Sequence, residues 1–291
     1  MSVRIQEDAA SSAQACRPLP PRRFFGNRYV YCVVSERARG LSVGLNLNPD
    51  KLCNFDCVYC EIDRTHHERH HPVKVSQLVE ELDAMLATIH SGRLDKLGYF
   101  PPSPDMLPFR EVAFSGDGEP TLCPEFRRVV EAVVHLRARH RYPFFKLVLI
   151  TNTTGLPLPE VRAGLELFAP EDEVWAKLDA GTQAYMDLVN AADIPLERVL
   201  ANIADFARRR PVVIQSLFPA INGVGPSEEE IVTYANRLRE LKDEGAQISL
   251  VQIYSAHRPA IDAMCGHLPL RTLSKIARTV RRISGLEVEV F

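Results

Sequence analysis

The sequence lacks any apolar run as long as the roughly 18–20 residues that a membrane-spanning helix needs. It also lacks an excess of one charge, because 35 Lys and Arg stand against 37 Asp and Glu, for a formal net charge of −2. Domains that bind nucleic acids usually carry a clear basic excess. No internal repeat and no low-complexity linker is visible. With 291 residues, 46% of them hydrophobic, the chain is expected to be a globular protein with a large core.

The N-terminus has no apolar stretch of the kind found in a secretory signal. Its first 21 residues are mostly small and polar and end in prolines, so we expect a partly flexible N-terminal extension over residues 1–40, followed by one domain over residues 41–291. We further expect a cytoplasmic protein with no membrane partner, in a compartment that keeps thiols reduced. Clustered cysteines then indicate a metal or catalytic site rather than disulfides.

Short apolar segments alternate with longer amphipathic ones, which is typical of βα units and a parallel sheet. The predicted strands are residues 41–47, 111–116, 146–151, 174–179, 212–218 and 249–255, with a last apolar piece at 286–291, and the clearest predicted helices are 124–140, 227–245 and 270–285. Ser227 is a predicted N-cap, and Gly245 and Gly285 are predicted helix ends. Six such units predict the α/β class and a partial (βα)6 TIM-type barrel of parallel strands with outer helices.

Polar or unusual residues follow each predicted strand at its carboxyl end. They are a cysteine-rich loop, GDGEPTL at 116–122, NTTG at 152–155, KLDAG at 177–181, Gln215 and Ser216 before INGVG, and Gln252 and Tyr254 before HRP. In parallel βα folds the chemistry lies at this edge of the sheet, since the loops there vary while the core stays fixed. We therefore expect these segments to form one site.

Three of the seven cysteines lie within eight positions, as Cys53, Cys57 and Cys60 of the segment LCNFDCVYCEIDR at 52–64. One possibility is a tetrahedral Cys3His zinc site, for which the sequence offers a fourth ligand at His66, His67, His70 or His71. A chain with a large core has less need of such a metal than a small domain has. The other possibility is a cubane 4Fe–4S cluster, in which three thiolates hold three irons and leave the fourth iron open.

The C-x3-C-x2-C spacing, with Tyr59 directly before the last cysteine, resembles the defining motif of the radical SAM superfamily. The resemblance implies that Cys53, Cys57 and Cys60 hold a 4Fe–4S cluster whose open iron chelates S-adenosylmethionine. It further implies that one electron from the cluster cleaves this cofactor to methionine and a 5′-deoxyadenosyl radical, which abstracts hydrogen from a substrate. An electron donor such as flavodoxin or ferredoxin is the implied partner.

The other strand ends resemble the same superfamily. SGDGEPTL is similar to its glycine–glutamate–proline motif, and Lys177 and Asp179 occupy the fourth-strand position that contacts ribose hydroxyls and a carboxylate. Glu119 is expected to brace its turn, and Thr151 is a weaker candidate; for several of these residues an ordinary buried polar role remains open. The cofactor-binding candidates are Tyr59, Gly116, Asp117, Gly118, Glu119, Asn152, Lys177, Asp179, Gln215 and Ile253.

Within the superfamily, GLNLNPDKLCNFDCVYC, FSGDGEPTL, VWAKLDAG and VQIYSAHRP resemble the branch that includes the wyosine-forming tRNA enzymes. That branch binds a second cluster through N-terminal cysteines, whereas only Cys16 and Cys32 precede the loop here. This difference and the balanced charge favour a small-molecule or peptide substrate, with tRNA as the second choice. A radical SAM activase that makes a glycyl radical on a partner enzyme and a non-enzymatic zinc protein remain alternatives.

The sequence does not identify a catalytic side chain. Cys123 and Cys265 lie outside the cysteine loop, and a free cysteine is commonly a small buried hydrophobic residue. The candidates for donating a hydrogen atom to a product radical are Cys265 and Tyr254.

Overall fold

A computed structural model describes residues 26–65, 72–94, 108–256 and 260–291. The predicted N-terminal lead-in with Cys16, the four candidate zinc histidines and the HRP segment at 257–259 therefore lie outside the described residues.

The strands of the described residues are β1 (Val30–Ser35), β2 (Gly40–Leu45), β3 (Phe109–Phe114), β4 (Lys146–Thr151), β5 (Glu173–Lys177), β6 (Val212–Leu217), β7 (Ala220–Ile221), β8 (Ile248–Tyr254), β9 (Cys265–Gly266) and β10 (Val288–Val290). The helices are α1 (Val75–His90), α2 (Phe126–Ala138), α3 (Pro159–Leu165), α4 (Gln183–Asn190), α5 (Leu196–Ala207), α6 (Glu228–Asp243) and α7 (Leu270–Ser284), with a 3-10 turn at Pro120–Leu122. None of these helices combines the length and the apolar composition needed to cross a bilayer.

Eight strands form one sheet in the order β1-β2-β3-β4-β5-β6-β8-β10, and β7 pairs with β9 in a small separate hairpin. From β2 to β10 every neighbouring pair in the large sheet is parallel. The six predicted strands are thus confirmed in their predicted order, and so is the α/β partial barrel with outer helices.

In the large sheet, the strand that the pattern does not predict is β1, which pairs antiparallel with β2. The short hairpin of β7 and β9 is not predicted either. Strand β1 lies inside the segment expected as an N-terminal extension, because an antiparallel hairpin interrupts the strand–helix alternation on which the prediction rests. Residues 30–35 are therefore part of the sheet, and the domain limits themselves remain predictions.

The main core lies between the sheet and its helices. Alternate residues of a strand face opposite sides, so Val112 and Phe114 of β3 pack against the helices, whereas Ala113 faces the barrel interior. There it joins a small cluster that includes Val148 and Trp175. Complete burial of a side chain such as Val or Phe contributes about 1.5–3 kcal/mol to folding. This packing keeps the carboxyl ends of the strands in a fixed arrangement.

Local signals set the ends of the helices as predicted. The Ser227 hydroxyl accepts a hydrogen bond from the Glu230 N–H at 3.1 Å and so caps α6. Gly285, with a φ of 63°, ends α7 in the left-handed conformation that glycine adopts without strain. Helix α7 packs against β8 and β10, and α6 packs against α7.

Candidate functional site

The cysteine loop begins after β2 and is held against the end of α4. The Asp56 N–H donates to the Asn190 carbonyl at 3.0 Å, and the Val58 N–H donates to the Val189 carbonyl at 3.0 Å. These carbonyls belong to the last turn of a helix, where they have no partner within the helix itself. The loop that carries Cys57 is thereby fixed to α4 by backbone hydrogen bonds.

The loop after β3 contacts the cysteine loop through its glycines. A Cβ atom on Gly118 would lie 2.0 Å from the Leu52 carbonyl oxygen, and one on Gly116 would lie 2.5 Å from Asn46 Oδ1. The Glu119 N–H also donates to the Leu52 carbonyl at 3.0 Å. Only glycine permits this approach of backbone to backbone, so the GDGEP segment and the cysteine loop form one unit.

Two side chains that the sequence analysis does not identify donate hydrogen bonds to cysteine sulfurs. Arg64 Nη1 lies 3.0 Å from Cys60 Sγ, and Asn190 Nδ2 lies 3.4 Å from Cys57 Sγ. Arg64 stands only four residues after Cys60, so its position near the cysteines could have been predicted from the sequence. Asn190 is separated from Cys57 by 133 positions and carries no local signal.

The surroundings of Cys53 and Cys57 favour the protonated thiols while no metal is bound. Burial raises the pKa of Cys53 to about 11 and that of Cys57 to about 12. Burial alone would lower the pKa of Arg64, but the adjacent cysteines outweigh it and raise that pKa. A bound metal would have to displace the thiol protons, and the Arg64 guanidinium would then offset part of the resulting negative charge.

Asp179 connects the cysteine loop to three other elements. Its Oδ1 lies 2.9 Å from Lys177 Nζ and accepts from the Leu217 N–H at 2.8 Å. Its Oδ2 accepts from Asn190 Nδ2 at 2.9 Å and from the Tyr59 hydroxyl. Asp179 is thus saturated by groups of the protein, and it ties the loop to β5, β6 and α4.

Lys177 is a largely buried cation between two tyrosines, with a side chain that is 13% exposed. Its Nζ donates to the Tyr254 hydroxyl at 3.0 Å and lies 5.0 Å from the ring centroids of both Tyr59 and Tyr254. Burial would lower the pKa of Lys177, but Asp179 and Tyr254 outweigh it and raise that pKa. The Tyr254 hydroxyl donates in turn to Gln215 Oε1 at 3.2 Å, which extends the polar network across the strand ends.

Glu119 braces its turn, in the way expected from the sequence. Its Oε1 accepts from the Thr121 N–H at 3.1 Å and from the hydroxyls of Thr121 and Thr151 at 2.5 Å each, and its Oε2 accepts from the Asn152 N–H at 2.7 Å. Burial raises the pKa of Glu119, although all four donors act in the opposite direction. The carboxylate joins the ends of β3 and β4.

Replacing Glu119 by glutamine is expected to lower the free energy of unfolding by about 1–3 kcal/mol, because an amide NH2 would then face a hydrogen-bond donor in a buried site. Urea unfolding measures the change. The matched control is Glu131→Gln, whose carboxylate pairs on the surface of α2 with Arg127, and which should change stability by less than about 1 kcal/mol. An equal effect of the two replacements would contradict the bracing role.

The remaining candidates occupy different positions. Asp117 accepts from Asn46 Nδ2 at 2.7 Å, and Asn152 Nδ2 donates to Asn54 Oδ1 at 2.8 Å, so both lie beside the cysteine loop. The Ile253 side chain is buried in the core between the sheet and the helices. Of the candidate cofactor contacts, Ile253 is therefore the one whose side chain the structure places away from the others.

The two candidate hydrogen-atom donors are also separated. Tyr254 belongs to the polar network at the strand ends, whereas Cys265 lies in β9, half-buried and paired with Ile221. Burial raises the pKa of Cys265. Cys32 and Cys123 are buried in the core.

A cavity of about 490 Å³ occupies the barrel interior next to the cysteine loop. Its lining includes Tyr59, Cys60, Arg64, Gly116 and Tyr254. Pockets of roughly 300–1,000 Å³ are typical of small-molecule sites. The cavity therefore has the size for a cofactor portion or a small substrate directly beside the cysteines.

Within the part of the chain that the structure describes, no three Cys, His, Asp or Glu side chains converge on a single metal ion. A cubane cluster does not need such convergence, because each of its cysteines binds a different iron. The three thiols on one short loop, with two donors directed at their sulfurs, fit that kind of ligand.

The chain is similar in sequence to curated proteins called UPF0026, although no known family profile matches it. It is 22% identical over 269 residues to a UPF0026 protein of Helicobacter pylori strain J99, which covers 86% of this chain and 79% of the relative. A UPF0026 protein of Methanocaldococcus jannaschii is 24% identical over 213 residues, covering 72% of this chain and 59% of the relative.

Two solved structures share the fold. SuiB of Streptococcus suis bound to S-adenosylmethionine superposes with a TM-score of 0.57 at 13% identity, over 88% of this chain and 52% of that one. TYW1 with a bound lysine–pyruvate adduct superposes with a TM-score of 0.54 at 15% identity, over 85% of this chain and 74% of that one. Both are radical SAM enzymes, and TYW1 belongs to the wyosine-forming branch. The resemblance predicted from the motifs is thus confirmed in the fold: this chain has the partial barrel of the radical SAM enzymes.

Proposed function

We propose that the protein is a radical SAM enzyme that holds a 4Fe–4S cluster through Cys53, Cys57 and Cys60 and binds S-adenosylmethionine beside it. The observation that carries the proposal is the position of the cysteine loop. It lies at the carboxyl edge of a radical SAM barrel, with Tyr59 and Cys60 lining the interior cavity. When bound, the cluster supplies the electron that cleaves the cofactor to methionine and a 5′-deoxyadenosyl radical.

The residues around the sulfurs would tune and orient the cluster. Arg64 and Asn190 supply hydrogen bonds to Cys60 and Cys57, and hydrogen bonds to sulfur together with nearby charge set the reduction potential of such centres. The close contact at Gly118 holds the GDGEP segment against the loop. The chain thus provides three thiols, two sulfur-directed donors and an adjacent backbone segment for a polar ligand.

Lys177 and Asp179 would have different roles at the cofactor site. Asp179 already accepts hydrogen bonds from the Leu217 N–H, Asn190 and Tyr59 and pairs with Lys177, so we assign it a positioning role rather than a contact to ribose. Lys177 retains its positive charge in a buried setting. That charge suits an anionic oxygen group of the cofactor.

The substrate proposed is a small molecule or a peptide that reaches the interior cavity, and the electron donor proposed is a flavodoxin or ferredoxin. A tRNA substrate is the second candidate, favoured by the fold shared with TYW1 and disfavoured by the net charge of −2. The described residues offer no specific support for a glycyl-radical activase or for a structural zinc protein.

Replacing Arg64 by glutamine is expected to lower the reduction potential of the cluster by tens of mV, because the cation and its hydrogen bond stabilise the more negative reduced form; about 60 mV corresponds to 1.4 kcal/mol for a one-electron couple. A redox titration followed by electron paramagnetic resonance measures the shift. The reduction potential of Arg64→Lys, which keeps the charge, should lie between those of the wild type and Arg64→Gln. The surface variant Arg208→Gln, whose partner is Glu244, should match the wild type, and an unchanged potential in Arg64→Gln would contradict the assignment.

The experiment that tests the proposed function is an incubation of anaerobically reconstituted protein with S-adenosylmethionine and dithionite. We expect 5′-deoxyadenosine and methionine to form in equal amounts. Protein that contains the cluster but forms no 5′-deoxyadenosine, alone or with cell-extract metabolites, would contradict the proposal. Cell-extract metabolites consumed only by active protein would identify the substrate.

A further inference from the structure

Two charged residues that line the interior cavity each carry a buried polar atom with no hydrogen-bond partner. These atoms are Glu111 Oε2 and Arg37 Nε. Only five buried side-chain nitrogen or oxygen atoms of the described residues are in this state, so the cavity accounts for two of them. Buried polar atoms in folded proteins nearly always have partners, and two unpaired ones at one cavity indicate a ligand that would pair with both.

Glu111 lies on β3, and its side chain is only 2% exposed. The Ser42 hydroxyl donates to its Oε1 at 3.0 Å. Lys146 Nζ lies 3.9 Å from Oε2, beyond hydrogen-bond distance, and is engaged at 2.9 Å by Glu173. Burial, with a smaller effect of Glu173, raises the pKa of Glu111, and Lys146, Ser42 and Arg37 oppose this change. The Oε2 atom is thus an acceptor that lacks a donor.

Arg37 lies in the turn between β1 and β2. Its guanidinium carbon is 4.2 Å from the ring centroid of Tyr254, which is the tyrosine that accepts from Lys177. Stacking of this kind leaves the N–H groups at the guanidinium edge free to bind an oxygen group. Arg39, in the same turn, differs because its Nη2 pairs with Glu289 at 2.8 Å. The two arginines therefore form a natural pair of test and control.

We propose that the cavity binds a small 2-amino or 2-hydroxy acid as the substrate, with its carboxylate on Arg37 and its ammonium or hydroxyl group on Glu111. An anionic group satisfies the free guanidinium N–H, and a donor group satisfies the free carboxylate oxygen. The ligand would lie in the cavity that Tyr59 and Cys60 also line, where the substrate of the proposed function must be. In this respect the inference rests on that function.

Isothermal titration calorimetry tests the inference on anaerobically reconstituted protein saturated with S-adenosylmethionine. The probes are the proteinogenic L-amino acids, with L-lactate and L-malate as hydroxy acids, so the two arms distinguish an ammonium from a hydroxyl ligand. We expect at least one probe to bind the wild type, and Arg37→Gln and Glu111→Gln each to weaken it about tenfold or more, the usual effect of losing a charge-assisted hydrogen bond.

The controls are Arg39→Gln and Glu289→Gln, which remove a charge pair outside the cavity and should leave the affinity unchanged. Equal melting temperatures of Arg37→Gln, Glu111→Gln and wild type without probe would show that the loss is not one of folding. The inference is overturned if no probe binds, or if the two cavity variants bind the probe as tightly as the wild type does. It is also overturned if the variants weaken only the binding of S-adenosylmethionine. A probe that binds through Arg37 and Glu111 to protein that never forms 5′-deoxyadenosine would sustain the site and overturn the proposed function.

Discussion

Replacing Cys57 by alanine is expected to abolish formation of 5′-deoxyadenosine. Cys57 is the central one of the three thiols, and two thiolates on this loop cannot hold a cubane cluster with one open iron. Its alanine variant should be nearly free of iron after anaerobic reconstitution. Iron and sulfide analysis together with quantification of 5′-deoxyadenosine checks both expectations. Cys53→Ala and Cys60→Ala should behave in the same way.

The matched control for Cys57 is Cys123→Ala. Cys123 is a buried thiol that follows the GDGEP segment, with Glu125 Oε2 at 3.6 Å from its sulfur. Its replacement should retain the cluster and the cleavage activity. Loss of iron in Cys123→Ala but not in Cys57→Ala would show that the cluster ligands have been misassigned.

Replacing Asp179 by alanine is expected to cost about 3–5 kcal/mol of stability, because it leaves the Lys177 cation buried without its partner. The two side chains are 1% and 13% exposed and lie 2.9 Å apart. Asn190 and Tyr59 would lose their acceptor as well, so the cysteine loop should bind the cluster less tightly. Urea unfolding measures the stability, and iron content after gel filtration measures the second effect.

The pH dependence of the pair follows from the raised pKa of Lys177. A raised pKa means that the stabilisation is fully present below the pKa of the unfolded lysine, about 10.4, and is lost as the pH rises through the higher folded value. The loss of unfolding free energy in Asp179→Ala should therefore be the same at pH 6 and pH 8.

Two further variants sharpen the test of Asp179. Combining Asp179→Ala with Lys177→Met removes the unpaired cation, so the double variant should be more stable than Asp179→Ala alone. Asp205→Ala removes an exposed carboxylate that pairs with Arg162 and Arg209, and it should cost less than about 1 kcal/mol. A deficit in Asp179→Ala no larger than in Asp205→Ala would refute the central role of Asp179.

Features that depend on local sequence were predictable. The six parallel strands follow from the alternation of apolar and amphipathic segments, and their carboxyl ends meet because parallel strands share that edge. The spacing of Cys53, Cys57 and Cys60 and the caps at Ser227 and Gly285 are likewise local. Even the bracing role of Glu119 follows from its place in a glycine-containing turn.

Features that depend on distant contacts were not predictable. Asn190 reaches Cys57 only because α4 ends against the cysteine loop, and nothing near residue 190 indicates this. Glu111 begins the strand predicted over 111–116, and nothing in the sequence indicates that one of its oxygens is unpaired. That depends on Ser42 and Lys146, which lie on the neighbouring strands. The antiparallel strand β1 was missed because it lies outside the βα alternation.

The most direct measurement for the proposed chemistry is the electron paramagnetic resonance spectrum of the reduced, anaerobically reconstituted protein with and without S-adenosylmethionine. We expect the signal of a reduced 4Fe–4S cluster that changes when the cofactor is added, because the cofactor would bind the iron that no cysteine holds. A protein that carries zinc in place of iron, or a cluster whose spectrum stays the same at saturating S-adenosylmethionine, would contradict the proposed chemistry.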